Sequence, residues 1–261
     1  MKQAKVIESG KMYGNMNTSA SFYPDGMTAE ARAKDFLSRR KRMGEFFGFD
    51  GAKMFMADQK MKNGSFFEIT PDFVEANPNG WADISEDILI ITDKVPKVVI
   101  GHPVADCPVV MMEDPINGVS AIAHCSAAFI NGRLPMMLAD ALTEYGSRDE
   151  DIITYVSACA GRDWTYDKYP AWATDSDLWK GAIFEENGIF RIDLRNAIAK
   201  QLAERNIDLG KTIFNPDDTI TNPNYFSNCA SSPRGGNDAS KAGRHFAGLY
   251  YPEQVKVLMK K

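Results

Sequence analysis

The sequence predicts a mixed α+β fold, β-sheets with covering helices in a single domain over residues 1–261. Three observations predict it. Short apolar, β-rich runs recur along the chain, helical periodicity is confined to three separated segments, and the two kinds intermix without regular βαβ alternation. With 261 residues, 44% of them hydrophobic, the chain can bury a sizeable core without staples. Neither an internal repeat nor a Pro/Gly/Ser linker divides it.

Each element follows from local signals. Thr28 is placed to cap a helix running to about Phe47, with Phe36, Leu37, Met43, Phe46 and Phe47 on its apolar side and Gly48 as its stop. The basic run Arg39-Arg40-Lys41-Arg42 within it reads as a solvated helix face. Strands are expected at 66–69, 88–91, 98–100, 108–112 and 119–123, the last two joined by the tight turn Asp114-Pro115-Ile116-Asn117-Gly118. Leu134, Met137, Leu138, Ala141 and Leu142 recur at helical spacing up to Tyr145-Gly146, a helix that should cover the sheet. A strand at 152–156 precedes an irregular stretch, 162–179, rich in Asp, Trp, Tyr and Pro. A strand at 189–192 then leads into a helix with Leu194, Ile198 and Leu202 on one face. The last third holds Tyr225-Phe226-Ser227, a Gly-rich loop Arg234-Gly235-Gly236-Asn237-Asp238 and a strand at 246–251.

Composition excludes several functions. A net charge of -5 and a pI near 5.3 argue against a nucleic-acid partner. No segment reaches the roughly 18 apolar residues needed to span a bilayer, so no membrane partner is expected. Met1-Lys2-Gln3-Ala4-Lys5 leads into no apolar signal region, and four cysteines without CxxC spacing suit reduced thiols in a cytoplasmic protein.

The residues that carry chemistry sit on the central hairpin. Cys107 and His124 stand at the strand ends away from the turn, and a rise of about 3.3 Å per residue brings them within side-chain reach. The pair suits a His-activated thiolate or two ligands of a zinc ion, the bland alternative being a buried cysteine and a strand-end polar residue. Asp106 is read either as the group that orients the imidazole or as a turn residue. Neighbouring strand residues face apart, which aims Cys125 away from the site. His102, beside Pro103, reads as a solvent-facing turn residue.

Ala105-Asp106-Cys107-Pro108-Val109, Ala123-His124, Ile192-Asp193-Leu194-Arg195 with Gln201-Leu202, Tyr225-Phe226-Ser227 and Gly243-Arg244, in this order, resemble the laccase-domain proteins. These are also named multicopper polyphenol oxidase-like or peptidoglycan editing factor-like. The resemblance runs over most of the chain from Tyr13-Gly14-Asn15-Met16-Asn17 onward, with weaker matches at Gln59, Asp83 and Tyr166-Asp167. It implies a Cys/His hydrolase-like fold and an enzyme acting on purine nucleosides, by phosphorolysis or deamination, through zinc. On that resemblance Cys107, His124 and Asp106 are the catalytic candidates, and Cys107 and His124 are also metal ligands. Asn17, Tyr166, Arg234 and Arg244 are substrate-binding candidates. The two arginines offer planar forks suited to phosphate or carboxylate. Tyr166, Trp164 and Trp172 offer faces for stacking a purine.

The departures from the family weaken its metal site. Its zinc-binding histidine follows a glutamine by two residues, whereas Gln59 is followed by Lys60 and Met61. After the second histidine it reads Ala-Gly-Trp-Arg-Gly, whereas His124 is followed by Cys125-Ser126-Ala127-Ala128-Phe129. The late Cys-Thr pair stands here as Ile220-Thr221. Cys107 and His124 alone form an incomplete zinc set, since a catalytic zinc takes three protein ligands and a structural one four. No nucleotide cofactor is expected, and the substrate class is a small nucleoside, phosphate or amide. Two other readings stand beside the nucleoside enzyme. One is a metal-free Cys/His amide hydrolase or deamidase, like the deamidating toxins that the family resembles in fold. The other is a non-catalytic nucleotide- or metabolite-binding protein.

Overall fold

The strand Val109–Asp114 is buried at every residue, which requires a sheet covered on both faces. The computed structural model describes residues 3–17, 23, 25–60, 62–80, 82, 84–231 and 243–253. Among these the strands, in chain order, are β1 (Lys5–Glu8), β2 (Met54–Phe55), β3 (Phe66–Ile69), β4 (Ile88–Thr92), β5 (Val99–Val104), β6 (Val109–Asp114), β7 (Val119–His124), β8 (Ile153–Val156), β9 (Thr165–Tyr166), β10 (Ile183–Glu186), β11 (Ile189–Ile192), β12 (Thr212–Phe214) and β13 (His245–Tyr250). A six-stranded sheet runs β12-β8-β6-β7-β4-β3, parallel at its two edges and antiparallel between them. A four-stranded sheet runs β1-β13-β5-β2, and a small antiparallel sheet runs β10-β11-β9. The architecture is the mixed α+β fold that the sequence predicts.

Alternation on the central strands decides what each face meets. Leu89, Ile91, Val109, Met111 and Ile122 join Ile100, Val104, Ala247 and Leu249 of the four-stranded sheet in a core between the two sheets. Ile88, Ile90, Val110, Met112, Ala121 and Ala123 face the other way, onto Leu134, Leu138 and Leu142 of the helix Leu134–Thr143 and Ile198 and Leu202 of the helix Leu194–Glu204. Each of these large side chains, fully buried, contributes about 1.5–3 kcal/mol.

The helix Ala29–Phe47 begins and ends as its sequence directs. Thr28 accepts the Ala31 N–H at 3.2 Å, and Gly48 closes the helix at φ 88, a left-handed conformation that favours glycine. Its basic run is not uniformly solvated. Arg40 is buried with Phe36 and Met43, because positions 36, 40 and 43 fall on one helical stripe. Its guanidinium donates to the carbonyls of Ala52 (3.1 Å) and Met54 (2.9 Å), and burial lowers its pKa to about 10.

The strand expected at 98–100 runs on to Val104. Gly101 and Pro103 read locally as turn residues, yet a Cβ at Gly101 would lie 2.1 Å from the Phe246 ring, so the close approach of β13 requires glycine there. β2 pairs only with Val99 and Ile100, so the proline removes no ladder hydrogen bond on that side. The stretch 162–179 contains β9 and the short helix Ser176–Trp179, whose cap Asp175 accepts the Leu178 N–H at 3.0 Å. Among the described residues no helix is long and apolar enough to cross a membrane.

Candidate functional site

The connection from β5 to β6 is a tight bend rather than the start of a strand. Asp106 holds φ 78, uncommon for a residue with a side chain, and the surroundings fix it there. Its carbonyl accepts the Ala160 N–H at 2.7 Å, and its carboxylate accepts the Thr219 hydroxyl (2.7 Å) and the Cys229 N–H (2.8 Å). Asp106 thus ties together three segments distant in sequence. Cys107, expected on the strand, lies two residues before β6. Val109 pairs with His124, and the Pro108 carbonyl accepts the Cys125 N–H at 2.8 Å, so the backbone carries Cys107 alongside the end of β7.

His124 alternates with Ile122 and therefore faces the space between the two large sheets. His102 faces the same space from the opposite sheet, since it alternates with Ile100 and Val104. The two rings lie 6.0 Å apart between centroids, tilted by 39°. The solvent-facing position expected for His102 is thus overturned: it is 2% exposed on a regular strand, and its Nε2 is buried without a hydrogen-bond partner. Pro103 beside it is what makes His102 read as a turn residue in the sequence. The alternation of Ile100, His102 and Val104 was the signal that could have placed the ring.

Electrostatics leave these groups uncharged. Burial, then the neighbouring His124, depresses the His102 pKa to about 3, and burial with the Arg244 cation depresses that of His124 to about 4. Burial and the Asp106 charge push the Cys107 thiol up to about 12, against an opposing pull from Arg244. Near pH 7 the site therefore holds a thiol and neutral imidazoles, not a thiolate–imidazolium pair. Arg244 acts on both Cys107 and His124. Its backbone N–H donates to Asn15 Oδ1 (2.9 Å), and its Nη1 donates to Asn228 Oδ1 (3.0 Å) and the Gly243 carbonyl (2.7 Å).

The structure thus brings Cys107, His124, Asp106 and Arg244 together and adds His102. Asn17 lines a cavity of about 380 Å3 with Met16, Phe36, Met56 and Pro103 among its walls, none of which is one of these residues. Tyr166 lies elsewhere. Its ring packs against Trp164 (5.5 Å) and Trp172 (6.3 Å) over the helix-covered core, and Cys125 is buried in that same core. Arg234, Gly235 and Gly236 lie outside the described residues, as do Met61 and Asp83. Among the described residues no three His, Cys, Asp or Glu side chains are placed to hold a metal ion. Cys107 and His124 supply two of the three or four protein ligands that zinc takes.

The sequence matches the family model described as multi-copper polyphenol oxidoreductase laccase over residues 10–248. No curated protein matches it significantly. Several solved structures are similar in fold, three of them as follows. YlmD from Geobacillus stearothermophilus has a TM-score of 0.73 and 18% identity, over 96% of this chain and 92% of that one. The hypothetical protein YfiH of Bacillus licheniformis has a TM-score of 0.70 and 18% identity, over 96% and 89%. The Neisseria meningitidis protein NMB0706, of family DUF152, has a TM-score of 0.66 and 14% identity, over 97% and 93%.

Proposed function

From the premise that this chain belongs to the multi-copper polyphenol oxidoreductase laccase family, we propose that it is an enzyme acting on purine nucleosides at the site centred on Cys107 and His124, by phosphorolysis or deamination. The observation that carries this reading is the placement of Arg244, whose guanidinium is held by Asn228 Oδ1 and the Gly243 carbonyl just before β13 pairs with the end of β5 that leads to Asp106 and Cys107. A partly buried guanidinium beside neutral acid–base groups suits an anionic co-substrate such as phosphate. In phosphorolysis, Arg244 holds the phosphate and balances its charge as it attacks the ribose. The departing base must gain a proton, and His124, neutral at rest, is the group suited to take one from the hydroxyl of the attacking phosphate and pass it on. The cavity with Asn17, whose wall residue Met16 donates its N–H to the Arg244 carbonyl at 2.8 Å, offers apolar walls for the nucleoside.

The shortage of metal ligands favours a second reading, a metal-free Cys/His amide hydrolase. There Cys107 must give its proton to His124 before attacking, and its raised pKa opposes that step.

The test is incubation of the purified protein with adenosine, inosine and guanosine, with and without phosphate, followed by chromatography for free base and an assay for ammonia. Phosphate-dependent release of base, or ammonia from adenosine, lost in Cys107→Ala and His124→Ala, supports the nucleoside reading. Turnover of amides alone supports the second. Binding without turnover of any of them leaves a non-catalytic protein.

A further inference from the structure

Between the start of the helix Leu194–Glu204 and the edge strand β12 lies a cavity of about 460 Å3, with Arg162, Asp193, Arg195, Ala199, Phe214 and Asp218 among its walls. None of Cys107, His124, Asp106 and Arg244 lines it. Its size is that of a small-molecule site. Arg162 reaches Asp193 Oδ2 at 3.4 Å, so one pair of opposite charges on the wall is satisfied internally. The other pair is not.

Arg195 is held by neutral groups. Its Nε donates to the Asn215 carbonyl at 2.9 Å, and its Nη2 donates to the carbonyls of Asp217 and, at 3.4 Å, Cys159. These use three of the five N–H donors of a guanidinium and leave the two on Nη1 without a partner among the described residues. Asp218 Oδ1 accepts the Ile220 N–H at 2.8 Å, whereas its Oδ2 accepts nothing from the described residues. Neither Arg195 Nη1 nor Asp218 Oδ2 is buried. Backbone contacts set the two residues side by side. The Cys159 carbonyl accepts both Arg195 Nη2 and the Thr219 N–H (3.1 Å), and Asp217, on which Arg195 rests, immediately precedes Asp218. Gly161 makes room for the carboxylate, since a Cβ there would collide with Asp218 Oδ2. Even so, no ion pair joins Arg195 to Asp218.

We propose that this cavity binds a free α-amino acid with an apolar or aromatic side chain, its carboxylate on Arg195 Nη1 and its ammonium on Asp218 Oδ2. Charge selects this class. Two arginines and two aspartates line the cavity, so their formal charges cancel, and neither a nucleotide nor a polycation is favoured. An uncharged ligand would leave Arg195 and Asp218 without counter-charges. A molecule that carries both charges on one carbon meets each with a charge-assisted hydrogen bond. Phe214, Pro216 and Ala199 supply apolar wall for its side chain.

The test is isothermal titration calorimetry of the full chain with L-phenylalanine and L-leucine, and with three analogues that each lack one charge. Phenylpropionate lacks the ammonium, phenethylamine lacks the carboxylate, and N-acetyl-L-phenylalanine has its amine neutralised. The expected result is saturable binding of both amino acids, weakened roughly tenfold or more by each loss of a charge. Asp218→Asn should weaken it equally, since its amide oxygen still accepts the Ile220 N–H while the charge is gone. Should that variant fail to fold, Ala199→Trp, which fills the cavity, should abolish binding. No binding of either amino acid at millimolar concentration overturns the proposal. So does equal binding of any of the three analogues, or binding retained in the folded variants. Equal binding of L-lysine or L-glutamate overturns the assignment to apolar side chains.

Discussion

The two ends of the β6–β7 hairpin bury polar groups in opposite ways. At the turn end Asp114 is fully buried, yet Oδ1 accepts the N–H groups of Ile116 (2.8 Å) and Asn117 (3.2 Å) and Oδ2 accepts the Asn117 amide (2.6 Å). Burial pushes its pKa up, and the hydrogen bonds from Asn117 and the backbone more than offset that, leaving the carboxyl below its ordinary value. At the other end His102 Nε2 has no partner, and both ring nitrogens of His245, fully buried on β13, have none either. The turn end of the hairpin thus satisfies its buried carboxylate, whereas beside the other end the neighbouring strands β5 and β13 bury ring nitrogens without partners. Unpaired burial of this kind costs stability.

The sharpest way to break this contrast is by activity. Cys107→Ala and His124→Ala should each lower turnover by roughly 10²–10⁴-fold while leaving near-UV circular dichroism unchanged. Comparable loss from Asp114→Ala would erase the distinction between the ends.

Stability should distinguish Asp106 from Asp114 next. Asp106→Ala removes the anchor of Thr219 and Cys229 and places a Cβ-bearing residue without compensation at φ 78, costing about 2–4 kcal/mol in urea unfolding. Asp106→Asn, which tolerates that conformation, should cost about half as much. Asp114→Ala, whose partners are local and close to solvent, should cost about 1–2 kcal/mol.

The histidines predict a pH dependence. His102 and His124 titrate at about 3 and about 4 when folded, below the ordinary 6.5, so the unfolded chain binds more protons between those values. Their neutral burial costs nothing extra above pH 6.5, and stability falls as the pH drops from there toward 3. His245, buried on β13, titrates at about 3 as well, and urea midpoints at pH 7 and pH 5 should show a loss of about 2 kcal/mol for each of the three rings. His102→Leu should remove about a third of that loss and add about 1 kcal/mol at pH 7 by removing the orphaned Nε2. An unchanged acid slope in this variant would show that the ring is satisfied.

The smallest effect belongs to the turn. Gly118 sits at φ 65, where a Cβ would lie 2.9 Å from Asp93 Cγ, so Gly118→Ala should cost about 1 kcal/mol in the same unfolding assay and leave activity intact.

By itself the sequence determined the parts whose signals are local. Thr28 and Gly48 bound the first helix, and the apolar stripe of Leu134, Leu138 and Leu142 names the face that covers the sheet. The turn before Gly118 sets Cys107 and His124 at the far end of one hairpin. Tertiary structure alone decided where the polar residues went. Arg40 is one basic residue among four until the carbonyls of Ala52 and Met54 meet it. Asp106 is a turn residue until Thr219 and Cys229, more than a hundred residues later, close on its carboxylate. His102 follows a glycine and precedes a proline, a local turn signal, and becomes a buried strand residue only when β13 pairs with β5 from the far end of the chain. The physical reason is common to all three: propensity and periodicity act over a few residues, whereas the burial and pairing of a polar side chain depend on partners that only the folded chain brings near.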